Sequence, residues 1–297
     1  MKSGFIALIG HPNVGKSTFL NQVLGEKVTI TSTKPQTTRN TIRGIYTDDE
    51  AQMVFLDTPG ISKPKHELGA YMRRTAFKSL EAVDLVLLMV DALDDKRPFD
   101  EKLLERIKQI DTPMFLIVNK IDAVRDFDRL KAYVERLKKL YDVDEAFLIS
   151  AKEGWHTDRL LSDIKDGLEE GPAYYPKEWK TDQPERFVIA ERIREKVLEF
   201  THEEVPHSVA VILESLETDD AHENLLNVYA NIIVERPSQK KIVIGKGGEM
   251  MKKIGTAARK DLADLLGSKI YLDLHCKVMR DWRHKQQSLR HVGYKDE

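Results

Sequence analysis

Residues 5–17 read FIALIGHPNVGKS, and this stretch decides the fold of the N-terminal half. The apolar run Phe5–Ile9 predicts a buried strand, and the residues from Ser17 onward predict a helix. Between them, the pattern G-x-x-x-x-G-K-S is that of a phosphate loop, in which backbone amides and a helix N-terminus face an anion. The alternative is a glycine-rich turn that only resembles such a loop. We expect nucleotide contacts from Gly10, Asn13, Val14, Gly15, Lys16, Ser17 and Thr18.

Short apolar runs alternate with amphipathic segments as far as residue 168, which predicts a doubly wound, mostly parallel α/β sheet. The predicted strands are Phe5–Ile9, Met53–Asp57, Leu85–Asp91, Met114–Asn119 and Ala146–Ser150. The predicted helices are Ser17–Leu24, His66–Ser79, Asp100–Ile110, Phe127–Leu140 and His156–Leu168. Arg43–Thr47 is separated from Met53 by a polar turn, so we expect an antiparallel edge strand there.

The alternation stops at a segment with three prolines, and we predict a linker over residues 171–184 between domains at 1–170 and 185–297. The second domain is predicted as α+β. Its expected elements are a helix at Glu185–Phe200, strands at Ser208–Leu216 and Asn224–Val234, a helix ending near Leu266, a strand at Lys269–Met279 and a basic helix at Asp281–His291.

Two motifs follow predicted strands and indicate guanine as the base. In Asn119-Lys120-Ile121-Asp122, the carboxylate of Asp122 suits the two donors that guanine has and adenine lacks. Asn119 would hold neighbouring loops together, and the stem of Lys120 would cover the base. Ser150-Ala151-Lys152 would place the Ala151 amide against the guanine O6.

Two further segments carry the expected magnesium and γ-phosphate contacts. Asp57-Thr58-Pro59-Gly60 ends a strand, so Asp57 can hold Mg²⁺ through water and the Gly60 amide can bind the γ-phosphate. Gln36-Thr37-Thr38-Arg39 lies in a polar loop, and of its two threonines we expect Thr38 to ligate Mg²⁺ together with Ser17. We assign catalytic roles to Lys16, which would reach the β- and γ-phosphates, to Thr38 and to Gly60. GTP would order both loops and hydrolysis would release them.

These five motifs in one order resemble the GTPase superfamily over residues 4–169. One position departs from the Ras-like members, whose water-orienting glutamine is replaced here by Ile61. An apolar side chain cannot orient water, so slow intrinsic hydrolysis of GTP to GDP is expected. Asn13 and the Thr-Thr-Arg run resemble a branch of bacterial GTPases in which potassium takes the place of an arginine finger, which makes K⁺ a candidate cofactor.

The C-terminal segment is strongly basic. Residues 236–297 contain fifteen Lys and Arg against seven Asp and Glu, a net charge of +8, so the preceding residues total −10 within the overall −2. Such asymmetry favours an anionic partner, with a merely solvated basic face as the alternative.

The sequence VIGKGGEMMKKI at 243–254 resembles the KH signature, whose G-x-x-G loop clamps a single-stranded backbone. The resemblance also favours a short helix, Ser238–Ile244 capped by Ser238, where local propensity favours a strand. The expected RNA-binding residues are Gly245, Lys246, Gly247, Gly248, Lys252, Lys253 and Arg283. Trp282 is expected to be a packing anchor rather than a base-stacking surface.

A phosphate-loop GTPase domain followed by a type II KH domain resembles the Era family over nearly the whole chain. Arg192–Lys196 and Gly255–Asp261 also match that family. The resemblance implies binding to the 3′ end of 16S ribosomal RNA and a role in maturation of the 30S subunit, with the GTP or GDP state controlling RNA binding. One alternative is an RNA-binding assembly chaperone in which GTP is mainly a conformational ligand. A tRNA-modification or large-subunit assembly GTPase is less consistent with the accessory domain and the single phosphate loop.

Composition bounds the remaining possibilities. With 297 residues, 41% hydrophobic and 32% charged, the chain suits two globular domains and excludes disordered, collagen-like and disulfide-rich classes. The single cysteine, Cys276, favours a reducing compartment and a packed strand position. The first residues contain no signal peptide pattern, and the longest apolar run, Leu85–Val90, is too short to span a bilayer. We expect a cytoplasmic protein with at most peripheral membrane contact and no stable oligomer.

Overall fold

The computed structural model of the chain describes residues 1–94, 101–109, 111–143, 145–219 and 224–295. The chain divides into two compact units. The first unit comprises Met1–Thr31, Thr38–Lys65 and Gly69–Asp182. The second unit comprises Ser32–Thr37, His66–Leu68 and Gln183–Glu297.

The first unit contains a six-stranded sheet, counted over its described residues, in the order β2-β3-β1-β4-β5-β6. The strands are β1 (Lys2–Gly10), β2 (Ile42–Thr47), β3 (Ala51–Asp57), β4 (Leu85–Asp91), β5 (Met114–Asn119) and β6 (Ala146–Ile149). All neighbours pair in parallel except β2, which runs antiparallel to β3. The predicted α/β fold and its antiparallel edge are therefore confirmed.

Among the described residues, an α-helix follows each strand of this sheet except β2. These helices are α1 (Lys16–Leu24), α2 (Glu67–Lys78), α3 (Glu101–Lys108), α4 (Phe127–Tyr141) and α5 (Thr157–Gly167). The ends predicted for the third helix, Asp100 and Ile110, lie outside the described residues. Helix α4 begins and ends at residues that favour helix termini. The Asp126 side chain caps its first turn by accepting from the Arg129 amide at 2.9 Å, and Asp142 ends it in a left-handed conformation.

The first unit has two apolar layers. One contains Phe19 and Phe55, and the other contains Ile9, Phe77 and Leu130. The central strands are apolar on both faces because both faces are covered, and Leu85–Val90 is buried throughout. This is why the parallel strands read as continuous apolar runs.

The carboxyl ends of four parallel strands carry polar or glycine residues. Gly10, Asp57, Asp91 and Asn119 are the last residues of β1, β3, β4 and β5, respectively. Because these strands are parallel neighbours, the four residues lie along one edge of the sheet, where ligands bind in open α/β folds.

The segment predicted as a linker has no helix or strand, and its residues up to Asp182 pack within the first unit. The Tyr174 and Tyr175 amides donate to Gln52 Oε1 at 2.6 and 2.9 Å. The Ile45 amide on the edge strand β2 donates to the Lys180 carbonyl at 2.8 Å. Most of the segment therefore packs on the first unit, and Lys180 pairs with the edge strand β2.

The second unit contains a three-stranded sheet among its described residues, in the order β7-β8-β9. Strand β7 (Ala210–Thr218) is antiparallel to β8 (Leu225–Val234), and β8 is parallel to β9 (Lys269–Val278). The helices are α6 (Glu185–Phe200), α7 (Val205–Ser208), α8 (Pro237–Ile244), α9 (Glu249–Leu266) and α10 (Gln286–His291). Ile193 on α6, Ala258 on α9 and Val228 on β8 belong to its apolar core. The predicted α+β class is confirmed.

The predicted choice of a helix before the glycine loop is confirmed, but its cap was wrong. Pro237 occupies the first turn and Arg236 is the N-cap, because proline has no amide hydrogen to satisfy there. Gln239 Oε1 instead accepts from the backbone amides of Glu235 and Arg236 at 2.9 and 3.0 Å. Ser238 is therefore an ordinary exposed residue of the helix.

The predicted continuous helix Asp281–His291 is wrong. Asp281 adopts a left-handed conformation (φ 56°) and Lys285 is extended, so a short 3-10 turn at Trp282–His284 precedes α10. Trp282 is fully buried, donates from Nε1 to the Ser208 carbonyl at 2.9 Å and stacks on Tyr294. The prediction of Trp282 as a packing anchor is confirmed.

Within the described ranges, every helix is too short or too polar to cross a lipid bilayer.

Candidate functional site

The phosphate loop depends on glycine at two positions. A Cβ on Gly10 would stand 2.2 Å from the Met89 carbonyl oxygen, and one on Gly15 would stand 2.1 Å from Asn119 Nδ2. Gly15 also has φ 103°, which L side chains rarely adopt. Asn13 has φ 67° despite its side chain, a conformation that asparagine tolerates better than most residues. Neighbouring elements thus impose the loop's shape.

Two further residues predicted to contact the nucleotide lie in or next to the loop. Val14 is buried, and its carbonyl accepts from Asn119 Nδ2 at 2.8 Å. Thr18 is half-buried in the first turn of α1. Their predicted nucleotide contacts stay predictions.

Lys16 is a buried cation held by carbonyl oxygens. Its Nζ donates to the carbonyls of Gly10 and His11 at 3.3 and 3.1 Å, and only 5% of the residue is exposed. Burial lowers the pKa of Lys16 to about 8, against the raising effect of Asp57. A desolvated ammonium group beside a helix N-terminus strongly favours an anionic ligand.

Three oxygen atoms form a set that fits magnesium. Ser17 Oγ lies 2.9 Å from Thr38 Oγ1 and 2.6 Å from Asp57 Oδ2. Asp57 is fully buried, and its Oδ1 has no hydrogen-bond partner within the described parts of the chain. Mg²⁺ binds oxygens octahedrally at about 2.1 Å, which places neighbouring ligands about 3 Å apart. The spacing of the two hydroxyl oxygens therefore suits two direct ligands of this ion, and the unsatisfied Asp57 oxygen suits a carboxylate that holds it through water.

The electrostatics of Asp57 agree with that fit. Burial raises the pKa of Asp57 to about 6, while Lys16 and the hydroxyls of Ser17 and Thr38 oppose the shift. A divalent cation would supply the charge compensation that a desolvated carboxylate lacks.

Gly60 and Ile61 are packed directly onto the phosphate loop. A Cβ on Gly60 would lie 2.6 Å from Cα and N of Pro12, so only glycine fits. The Ile61 amide donates to the Gly10 carbonyl at 2.9 Å, and its side chain is fully buried in the apolar core. The residue after Gly60 is thus an anchor in the core and is turned away from any attacking water.

Asn119 joins the two ends of the site. Its Nδ2 donates to the Val14 carbonyl at 2.8 Å, and its Oδ1 accepts from the Ala151 amide at 2.9 Å. The sequence analysis expected the Ala151 amide to face the guanine O6. In the structure this amide is instead directed at Asn119, because the asparagine oxygen lies within hydrogen-bond reach at the end of β5.

The remaining residues of the base-binding loops are held by local hydrogen bonds. Ser150 Oγ donates to Asp122 Oδ1 at 2.6 Å, which fixes the carboxylate that is predicted to read guanine. Lys120 Nζ lies 2.6 Å from Asp91 Oδ2, which fixes the stem predicted to cover the base. Lys152, in contrast, is exposed and pairs with Glu153 at 3.0 Å.

The glycine loop of the second unit lies at the surface and is conformationally special. Gly245, Gly247 and Gly248 have φ of 76°, 61° and 83°. A Cβ on Gly245 would lie 2.8 Å from the Met250 amide nitrogen, whereas those on the other two glycines would meet nothing within 4 Å. The last two glycines therefore leave open space for an approaching backbone.

The basic residues predicted to bind RNA divide into two groups. Lys246, Lys252 and Lys253 are exposed, and Lys253 Nζ also lies 4.3 Å from the centroid of the Phe200 ring. Arg283 was wrongly grouped with them. Its guanidinium lies 2.5 Å from Glu235 Oε2, and its side chain is only 13% exposed. Arg283 is therefore part of the internal structure of the unit.

Comparison with known proteins matches both units to families. Residues 5–120 match a family model described as 50S ribosome-binding GTPase, and residues 204–283 match a KH domain model. The crystal structure of a point variant of Aquifex aeolicus Era bound to GDP·AlF₄⁻ is 41% identical, with 100% of both chains covered and a TM-score of 0.95. A crystal structure of Era in complex with MgGDPNP and nucleotides 1506–1542 of 16S ribosomal RNA is also 41% identical over 100% of both chains, with a TM-score of 0.96.

The chain belongs to the Era family of GTPases. It is a GTP-hydrolysing enzyme with a KH domain. The Era family assignment agrees with the order of the five motifs and with the glycine loop.

Two residues of this Era-family site were not identified from the sequence. Asp91 holds Lys120, and His11 Nδ1 contacts the Ile61 carbonyl at 3.0 Å. Asp91 had one usable pattern, because it ends a buried parallel strand as Asp57 and Asn119 do. His11 occupies a variable position of the phosphate-loop pattern, so nothing in the sequence marked it.

Proposed function

We propose that this protein is a GTP-hydrolysing, RNA-binding ribosome assembly factor. It binds the 3′ end of 16S ribosomal RNA and assists maturation of the 30S subunit, and its GTP or GDP state controls RNA binding. One observation carries the proposal: a single chain combines a guanine-nucleotide site with magnesium ligands and a surface glycine loop flanked by lysines. The Era complex with 16S ribosomal RNA, which is similar over its full length, supports the same RNA target.

The family model described as 50S ribosome-binding is a weaker guide to the subunit. This model matches residues 5–120 and does not extend into the KH domain, which a separate model matches. The similarity to Era includes the KH domain, which is the part of the chain suited to RNA. We therefore favour the small subunit as the target.

The proposed chemistry is positioning and charge stabilisation. Lys16 binds the β- and γ-phosphates, and the Gly60 amide binds the γ-phosphate. Ser17, Thr38 and Asp57 hold magnesium, which neutralises charge that develops on the phosphate oxygens. Ile61 contributes no water-orienting group because it is buried, so intrinsic turnover is slow.

Potassium is proposed as an additional cofactor. Asn13 is exposed in the phosphate loop and has a left-handed backbone conformation. A second cation near the phosphates would supply charge that no arginine of the loop supplies. Turnover measured in potassium and in sodium at equal ionic strength tests this, and equal rates would remove potassium from the mechanism.

RNA binding with each nucleotide tests the main proposal. A fluorescent RNA with the sequence of the 16S 3′ end is titrated with protein carrying GDPNP or GDP, and a scrambled RNA of equal composition serves as the control. We expect preference for the 3′-end RNA and tighter binding with GDPNP. Lys246→Gln should weaken this binding, and Lys131→Gln, an exposed lysine on α4, should not. Equal affinity for both RNAs would contradict the proposed target.

The second candidate is an RNA-binding assembly chaperone in which GTP mainly holds one conformation. The buried Ile61 favours it, because a site without a water-orienting side chain suits a ligand that stays bound. The two candidates differ in what hydrolysis does. In the chaperone, a hydrolysis-deficient variant assembles 30S subunits as well as the wild type; in the proposed enzyme, particles accumulate with the protein bound.

We also propose a cytoplasmic protein without a stable oligomer that contacts membranes only peripherally. Cell fractionation at low and high salt, with sizing of the purified protein, tests this proposal. Retention in the membrane fraction at high salt would contradict it.

A further inference from the structure

His11 lies where the phosphate loop meets the segment that is expected to face the γ-phosphate. Its Nδ1 is 3.0 Å from the Ile61 carbonyl oxygen. A carbonyl oxygen only accepts hydrogen bonds, so Nδ1 carries the proton in this contact. The contact therefore fixes both the ring's protonation at Nδ1 and the direction of the Ile61 carbonyl.

Ile61 is fixed from both sides of its backbone. Its amide donates to the Gly10 carbonyl at 2.9 Å, its carbonyl accepts from His11, and its side chain is fully buried. Pro12 presses on the adjacent Gly60, leaving no space for a side chain there. Gly60 thus lies between Pro12 and the hydrogen-bonded backbone of Ile61, which limits the movement of the Gly60 amide.

The same loop residues also hold Lys16. The Gly10 carbonyl that accepts from Ile61 lies 3.3 Å from Lys16 Nζ, and the His11 carbonyl lies 3.1 Å from it. His11 is therefore connected to both groups that are predicted to bind the γ-phosphate. Its carbonyl accepts from Lys16, and its side chain donates to Ile61, the residue after Gly60. Its side chain is the adjustable part of this arrangement, because the backbone carbonyls are present with any residue.

We propose that His11 is a positioning residue for hydrolysis, which holds the Ile61 carbonyl so that the Gly60 amide stays aimed at the γ-phosphate. In most of the chain's interior such a hydrogen bond would serve stability alone. Here the bonded carbonyl belongs to the residue directly after Gly60, whose apolar side chain is buried and makes no contact with the reacting groups. The inference rests on GTP hydrolysis at this site.

Two substitutions of equal shape separate the hydrogen bond from the packing. His11→Asn keeps a donor close to the position of Nδ1, and His11→Leu has the shape of Asn without the donor. Single-turnover GTP hydrolysis, the KM for GTP and the affinity for GDP are measured for the full-length chain and both variants. Thermal unfolding with GDP bound checks that each variant is folded.

We expect His11→Leu to lower kcat about tenfold, the effect of one lost hydrogen bond, with KM and GDP affinity within about twofold of the wild type. His11→Asn should restore most of the rate. Unchanged kcat in His11→Leu, or an equal loss in both variants, would overturn the inference while leaving GTP hydrolysis intact. A loss confined to GDP affinity would also overturn it. Failure of the wild-type chain to hydrolyse GTP would instead overturn the enzyme assignment itself, and the inference with it.

Discussion

Replacement of Gly15 by alanine should damage nucleotide binding through Asn119. The added Cβ would lie 2.1 Å from Asn119 Nδ2, far inside contact distance, so the amide group must turn away. That movement breaks its bonds to the Val14 carbonyl and the Ala151 amide, each worth about 1 kcal/mol. The left-handed backbone of Gly15 costs alanine about 1–2 kcal/mol more. The total is about 3–4 kcal/mol.

The other end of helix α1 provides a matched control. Gly25 also has a left-handed backbone, with φ 67°, but a Cβ there would meet nothing within 4 Å. Gly25→Ala therefore carries the backbone cost of about 1–2 kcal/mol without a clash. The difference between the two variants isolates the part that passes through Asn119.

Two measurements separate folding from binding. Urea unfolding of the nucleotide-free variants should show a lower free energy of unfolding for both. Displacement of a fluorescent GDP should show wild-type affinity for Gly25→Ala and an affinity about 30-fold weaker for Gly15→Ala, since about 2 kcal/mol of hydrogen bonding must be recovered when the loops close on the nucleotide. Equal GDP affinity in the two variants would refute the reasoning, because Asn119 would then not be required to join the loops.

Three further outcomes are expected. Asp122→Asn should weaken GTP and improve xanthosine triphosphate, because the exchanged donor fits the xanthine carbonyl; competition binding measures this, and an unchanged base preference would contradict the assignment. Lys246→Gln and Lys252→Gln should each weaken RNA binding and reduce its salt dependence by about one counterion, whereas Arg283→Gln should spare RNA binding and lower the free energy of unfolding by about 3 kcal/mol; salt-series titrations and urea unfolding decide between these effects. Asp57→Asn should raise the free energy of unfolding of the nucleotide-free protein by about 1–2 kcal/mol at pH 7.5 and by about half as much at pH 5, measured by urea unfolding at both pH values.

The first unit was predictable because its strands are buried on both faces. Leu85–Asp91 and Met114–Asn119 have the bounds expected from their apolar runs, since covered parallel strands have no polar alternation to blur them. The polar residues at the strand ends could then be placed at one edge of the sheet. Local pattern and topology thus predicted the positions of the main nucleotide-site residues.

Side-chain pairings between residues far apart in the sequence were not predictable in the same way. Whether an arginine is exposed or buried depends on a partner distant in sequence, and Arg283 meets Glu235 only through the packing of the second unit. Charge counting assigned it to the RNA surface because counting ignores such partners. The interruption of the C-terminal helix was also not predictable. Aspartate tolerates the left-handed conformation that Asp281 adopts, but it is equally common in other conformations, so the sequence does not indicate the break.

The charges of the phosphate site explain why Asp57→Asn should stabilise the nucleotide-free protein. The folded pKa of Asp57, about 6, lies above its ordinary value of 3.8, so its contribution to stability is fully present below pH 3.8 and is lost as pH rises through 6. The loss is about 3 kcal/mol at neutral pH, with the attraction of Lys16 already included in the shifted pKa. The expected gain in the variant is smaller than this loss, because the buried asparagine amide must itself find hydrogen-bond partners.

The pKa of Lys16 is shifted in the opposite sense, from 10.5 down to about 8, so its contribution is present above pH 10.5 and is lost as pH falls through 8. Near pH 7 both groups are therefore charged at a cost to folding. A phosphate group and a divalent cation remove both costs at once, so the asparagine variant should lose the additional stabilisation that Mg²⁺ and nucleotide give the wild type. If Asp57→Asn destabilises the nucleotide-free protein at pH 7.5, or stabilises it equally at pH 7.5 and pH 5, then the charged carboxylate does not carry the desolvation cost that its burial indicates.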